Sequence, residues 1–186
     1  MSEPLTVGLT EIPLSPDNVS VEFRVRWLGV IVVRGRFADV RGSLSIPDGD
    51  IARVSVDVAV ALASVDTRIA LRDRHLRGPH FLDVERHPVA TFRGGSIMRG
   101  STSVALPGSL TLRGVTQTEE LSCAIEDVDL RLPTVIVRAW VMVERESFGV
   151  GVVRGLRAID PLFALISEDV RVDVSVRIPR ELVRRV

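Results

Sequence analysis

Asp73, His75, His80, Asp83, Glu85 and His87 crowd into one short stretch of the chain. All are side chains that ligate metals or move protons. A zinc site is the first chemistry this composition raises, and an enzyme built from His75, His80 and Asp83 is the second. The spacing favours neither. No two of the three histidines stand at i and i+4, and no zinc-ligand pattern spans the segment. Nucleophilic hydrolysis needs a Ser or Cys beside a base and an orienting acid. No G-x-S-x-G element occurs, the serines are scattered, and Cys123 falls inside an apolar-alternating run. The histidines therefore read as surface and loop residues, and Cys123 as a small core residue.

Arg72 and Asp73 admit two readings. They bind a polar head group at an open end of the fold, or Asp73 caps locally while Arg72 ties a helix to a strand end. Glu144-Arg145-Glu146, at the end of a strand, carries the same two readings.

The elements that must position these residues are strands. In Val19-Ser20-Val21-Glu22-Phe23-Arg24-Val25-Arg26-Trp27 the odd positions are apolar and the even ones polar. That is a half-buried strand with Phe23 and Trp27 inward. Val54 to Leu62 and Val170 to Ile178 repeat the period with aliphatic inner faces. Between Ile31 and Ile46 the phase shifts near Asp39, which predicts a bulge or bend there. Val89 to Met98 is a further strand. Val104 to Arg113 and Thr116 to Val128 form a hairpin about Gly114, and Val135 to Ser147 is a long strand carrying Trp140. Thr67 to Arg77 reads as a short helix ended by Gly78-Pro79. About eight strands with short connections predict an antiparallel meander closed into a barrel or a sandwich. The segment from Gly149 to Ser167 is too apolar for an ordinary solvated loop. It predicts a cover over an opening, or a homodimer contact.

Composition sets outer limits. The chain of 186 residues is 46% hydrophobic and 26% charged, which fits one soluble domain. Its 24 basic residues, all Arg, balance 24 acidic ones. A net charge of zero argues against nucleic acid or an anionic membrane surface as the main partner. No apolar segment approaches a membrane span, and the start of the chain lacks a basic region and apolar run. The expected compartment is the cytoplasm. Only six Phe and two Trp occur, and Val and Ala dominate the inward positions. Valine is small for plugging a wide barrel, so the interior is left open between a filled core and an apolar cavity.

Several segments, in order, resemble the YceI-like polyisoprenoid-binding family. They are Val33-Arg34-Gly35-Arg36-Phe37, Ala63-Ser64-Val65-Asp66-Thr67, Arg72-Asp73-Arg74-His75-Leu76-Arg77, Phe81-Leu82-Asp83-Val84, His87-Pro88-Val89-Ala90-Thr91-Phe92, Gly108 to Thr116 and Glu144 to Val150. The resemblance spans roughly residues 5 to 180, taken as one domain. Trp27 stands where the family commonly has His, and Val143-Glu144-Arg145 where it commonly has I-D-R. The resemblance implies an extended, all-β, eight-stranded antiparallel lipocalin-like barrel with a short helical segment near residues 67–84. It implies non-enzymatic carrying, storage or sensing of a polyisoprenoid or similar long-chain lipid, with no cofactor beyond that ligand. The expected lumen residues are Phe23, Val25, Trp27, Phe37, Val56, Val58, Val60, Phe81, Phe92, Leu112 and Trp140. The expected polar rim is Arg72, Asp73, His75 and Arg145. The rival reading is a ligand-free scaffold that dimerises through residues 149–167.

Overall fold

A computed structural model describes residues 9–47, 50–99, 104–126, 132–151 and 165–180. Alternation of apolar and polar residues draws these segments into strands whose apolar side faces one interior. In chain order they are β1 (Leu9–Leu14), β2 (Val19–Trp27), β3 (Ile31–Phe37), β4 (Val40–Pro47), β5 (Ser55–Ala61), β6 (Val65–Asp66), the helix α1 (Ala70–Arg77), β7 (Val89–Gly95), β8 (Met98–Arg99), β9 (Val104–Leu112), β10 (Val115–Glu126), β11 (Thr134–Glu144) and β12 (Ile166–Pro179).

These twelve strands lie on eight lines. β3 runs into β4 across Ala38–Asp39, where the phase of the sequence shifts. β1 and β2 both pair antiparallel with that line, β1 on β4 and β2 on β3. β5 and β6 flank its other side, on β4 and β3 in turn. β8 continues β7 along β9. From β5 the order proceeds through β7, β9, β10, β11 and β12, and β12 returns to β2. Every pairing is antiparallel, and apart from β12 on β2, which closes the circuit, each joins lines that follow one another in the chain, so the sheet is a lipocalin-like meander barrel.

The hairpin about Gly114 joins Leu112 to Val115 through two residues of positive φ, Arg113 at 51° and Gly114 at 74°. That is the turn whose twist matches an antiparallel pair. Three expectations need correction. The helix starts at Ala70 rather than Thr67, because Thr67 is used as a hydrogen-bond partner of the helix. β11 ends at Glu144, and Arg145–Phe148 form a 3-10 turn closed by Gly149 at φ 71°. The strand expected from Val89 to Met98 is interrupted at Ser96, whose φ is 58°. No helix among the described residues is long and apolar enough to cross a membrane.

The interior divides along the barrel axis. Phe23, Leu62, Val65, Leu82 and Ala90 form one buried cluster beneath α1, joined by Phe37, Leu76, Val84 and Leu112. Each large side chain buried there contributes about 1.5–3 kcal/mol. A second cluster, around Ile12, Ile46, Leu106, Leu121, Val135 and Ile178, lies at the far end.

Candidate functional site: an apolar lumen closed at the helical end

Between those clusters the barrel is not filled. A cavity of about 360 Å³ remains, walled by side chains from nearly every line. That volume falls within the ~300–1,000 Å³ typical of small-molecule sites. Its described lining is hydrocarbon apart from Thr91, Cys123 and Glu119. The cause is local: Val56, Val58 and Val60 on β5, Val137, Ala139 and Val141 on β11, and Val172, Val174 and Val176 on β12 are too short to meet across an eight-stranded barrel. Among the described residues the one aromatic side chain on this wall is Phe92. Its ring lies across Gly94 and Gly108, where an added Cβ would come within 2.7 and 2.4 Å of it.

The expected lumen residues therefore separate. Val56, Val58, Val60 and Phe92 line the cavity. Phe23 and Phe37 pack with ring centroids 5.6 Å apart. Together with Leu112 they fill the helical end rather than enclosing space. Phe81 is buried at that end, near Gly151. Val25 and Trp27 keep the inward phase of β2 but are half-buried, where β2 pairs with the start of β3. Trp140 is a correction. Val137, Ala139, Val141 and Val143 take the inward phase of β11, so Trp140 points out, where the Arg171 guanidinium sits 5.5 Å from its ring centroid.

The expected rim residues are engaged in holding backbone. Asp73 is 7% exposed and accepts hydrogen bonds from the Thr67 backbone N–H and hydroxyl. Arg72 donates to the Thr67 hydroxyl and carbonyl, both at 2.8 Å. Arg77 donates to the carbonyls of Ala63 and Val65. Arg145 is 4% exposed and donates to the carbonyls of Ser167, Val150 and Ile166 and to the Glu146 carboxylate. Arg113 donates to the Phe81 carbonyl. A planar guanidinium with five donors suits this work. His75 and His80 are exposed and His87 is half-buried. No group of three or more His, Cys, Asp or Glu among the described residues could hold a metal. Residues 152–164, the greater part of the apolar segment expected to cover an opening or to dimerise, lie outside the described residues.

Two lumen residues were not singled out from the sequence as binding groups. Cys123 sits on the inner face of β10, and burial pushes its thiol pKa up. Glu119 is two pairs along the same face, and burial pushes its carboxyl pKa up as well. The signal was available: Leu121 and Cys123 set the inward phase of β10, and Glu119 lies on it.

A closed antiparallel barrel around an apolar lumen, with one helix over one end, defines a lipocalin-like class of fold. The chain belongs to the YceI-like family, whose domain model matches residues 13–178. It is 40% identical over 101 residues to a UPF0312 protein of Yersinia pestis (strain Pestoides F), and 39% identical over 101 residues to one of Pseudomonas aeruginosa (strain LESB58). The match covers 54% of this chain and 53% of each relative, so it spans about half their length. Among solved structures, Burkholderia cenocepacia BcnA superposes with a TM-score of 0.72 at 16% identity, covering 86% of this chain and 96% of that one. A polyisoprenoid binding domain from Saccharophagus degradans, implicated in plant cell wall breakdown, superposes with a TM-score of 0.68 at 17% identity, covering 92% and 99%. Both show the same fold.

Proposed function

We propose that this barrel binds the chain of an isoprenoid or similar long-chain amphiphile in its lumen and does so without turning it over. One observation carries the reading: a cavity of about 360 Å³ whose described wall is almost wholly hydrocarbon. Moving apolar groups from water into such a space is favourable in proportion to their size. About ten methylene equivalents contribute ~8 kcal/mol, against an association cost of about 4 kcal/mol upward. Family membership and the likeness to a fold described as polyisoprenoid-binding support the same class of ligand.

Native mass spectrometry of the freshly purified protein, followed by organic extraction, tests this. The expected result is a stoichiometric added mass that leaves on extraction and matches an isoprenoid or other long-chain lipid. A clean apo mass, with no uptake after incubation with isoprenoid quinones and alcohols, would overturn the reading.

A further inference from the structure

Glu119 is the one charged side chain among the described residues that line the cavity. It faces inward from β10 directly opposite Gly108, which offers no side chain, and the Phe92 ring covers the space Gly108 leaves. The neighbouring walls present Leu106 from β9, Val141 and Val143 from β11, and Val172 from β12, none of which titrates. Cys123 is the other titratable group on this wall. No hydrogen bond or ion pair reaches the Glu119 carboxylate from the described residues. At this level the wall also parts. The β10–β11 ladder ends at Ser122 opposite Trp140, and beyond it the strands are linked by the Gln117 side chain donating to the Ser147 carbonyl at 3.1 Å. A half-buried acceptor with no partner among the described residues thus stands at the edge of a hydrocarbon space, beside a gap in its ladder.

We propose that Glu119 reads the ligand's polar end, selecting long-chain ligands whose head donates a hydrogen bond, a hydroxyl above all, over heads of the same chain that only accept or are anionic. The proposal rests on the reading of the lumen as a ligand site. An ionised carboxylate only accepts hydrogen bonds. A hydroxyl satisfies it when the ligand excludes water. An ether or ester oxygen leaves it buried without a partner, and a phosphate adds like charge. Once protonated, the carboxyl donates, and an ether oxygen becomes as good a partner as a hydroxyl.

The test compares farnesol with farnesyl methyl ether, bound to the full, delipidated chain by isothermal titration calorimetry. Near pH 8, far above the ordinary glutamate range, the wild type is expected to bind the alcohol at least about tenfold more tightly. That preference shrinks toward parity as pH falls through the Glu119 pKa. Glu119→Leu removes the acceptor, and Glu119→Gln both donates and accepts. Both variants are expected to bind the two ligands within about twofold of one another at either pH. Equal binding of alcohol and ether by the wild type near pH 8 would overturn the selection and leave the lumen reading standing, as would a preference that survives in Glu119→Leu. Binding of neither ligand would overturn both.

Discussion

The two halves of this barrel share the same strands but solve opposite problems. The helical half must close an end, where loops and strand termini leave backbone carbonyls without ladder partners. It does so with buried polar contacts: Asp73 holds Thr67, Arg72 and Arg77 hold the carbonyls of residues 63–67, and Arg145 gathers three carbonyls across two segments. Phe23, Phe37 and Leu82 fill the space beneath. At the other end, among the described residues, Arg180 donates to the Leu132 carbonyl and Ile and Leu side chains pack together, while between the two ends Val and Ala build most of the wall and leave a cavity. Closure and capacity are thus separated along one axis. Polar groups that resemble a head-group rim in the sequence are spent on closure, and the space open to the proposed ligand lies against the hydrocarbon wall.

The hardest test of that separation is Arg145→Ala. It leaves the carbonyls of Val150, Ile166 and Ser167 short of a donor in a buried place. At about 1–3 kcal/mol for each unsatisfied group, the loss should reach ~3 kcal/mol or more. Urea unfolding should show the midpoint falling with little change in slope. A loss near zero would mean that the helical end does not depend on this clamp.

Filling the other half should do the reverse. Ala139→Trp projects an indole into the lumen from β11. Overpacking costs about 1–3 kcal/mol, so the barrel should stay folded by circular dichroism while the extractable ligand falls to a trace. Retained ligand at full stoichiometry would place it outside the cavity.

Cys123 sharpens the same contrast from the lumen side. Its thiol pKa is raised by burial, so reaction with a maleimide should be slow in the apo protein and slower still, about tenfold, when ligand excludes reagent and water. A rate unchanged by ligand would place the ligand away from β10.

Much of this was legible in the sequence, and the failures have physical causes. Period-two runs in Val19–Trp27, Val54–Leu62 and Val170–Ile178 mark strands because one face of each must be apolar, and the phase shift near Asp39 marks the break between β3 and β4. Family resemblance and strand count together pointed to the barrel. Trp140 is among the expected lumen residues, yet its odd-numbered neighbours on β11, Val137, Ala139, Val141 and Val143, take the inward phase. Phe23 and Phe37 do point inward, but whether an inward side chain plugs an end or borders a cavity depends on its height along the barrel. That height follows from registers between strands distant in sequence, such as Val172 opposite Phe23. Arg145 could not be told from a rim group for the same reason, since its carbonyl partners at Ile166 and Ser167 are brought to it only by the closed fold. Glu119 was the reverse case: its phase was visible, but a polar residue among polar neighbours, Thr118 and Glu120, drew no notice.

The smallest expected effect lies on the outer face, which belongs to neither half. Asp173 accepts from Arg24 at 2.8 Å and from Arg171 at 2.9 Å, with Arg171 also lying over Trp140. Partial burial pushes the Asp173 carboxyl pKa up, but hydrogen bonds from Arg24 and Arg171 outweigh it and hold the carboxyl below its ordinary value of 3.8. A lowered pKa means that ionisation favours the folded state. The contribution is present above the unfolded-state value and is lost as pH falls through the folded one. Because the pair is partly exposed, Asp173→Asn should cost only about 0.2–1 kcal/mol at neutral pH, and less in high salt. The difference in urea midpoint between wild type and variant should close as pH drops below 3.8. Ligand retention should not move, because the cluster stands outside the wall that the lumen residues build. A change in retained ligand would show that the outer face sets the geometry of the lumen, and the separation of closure from capacity would then fail.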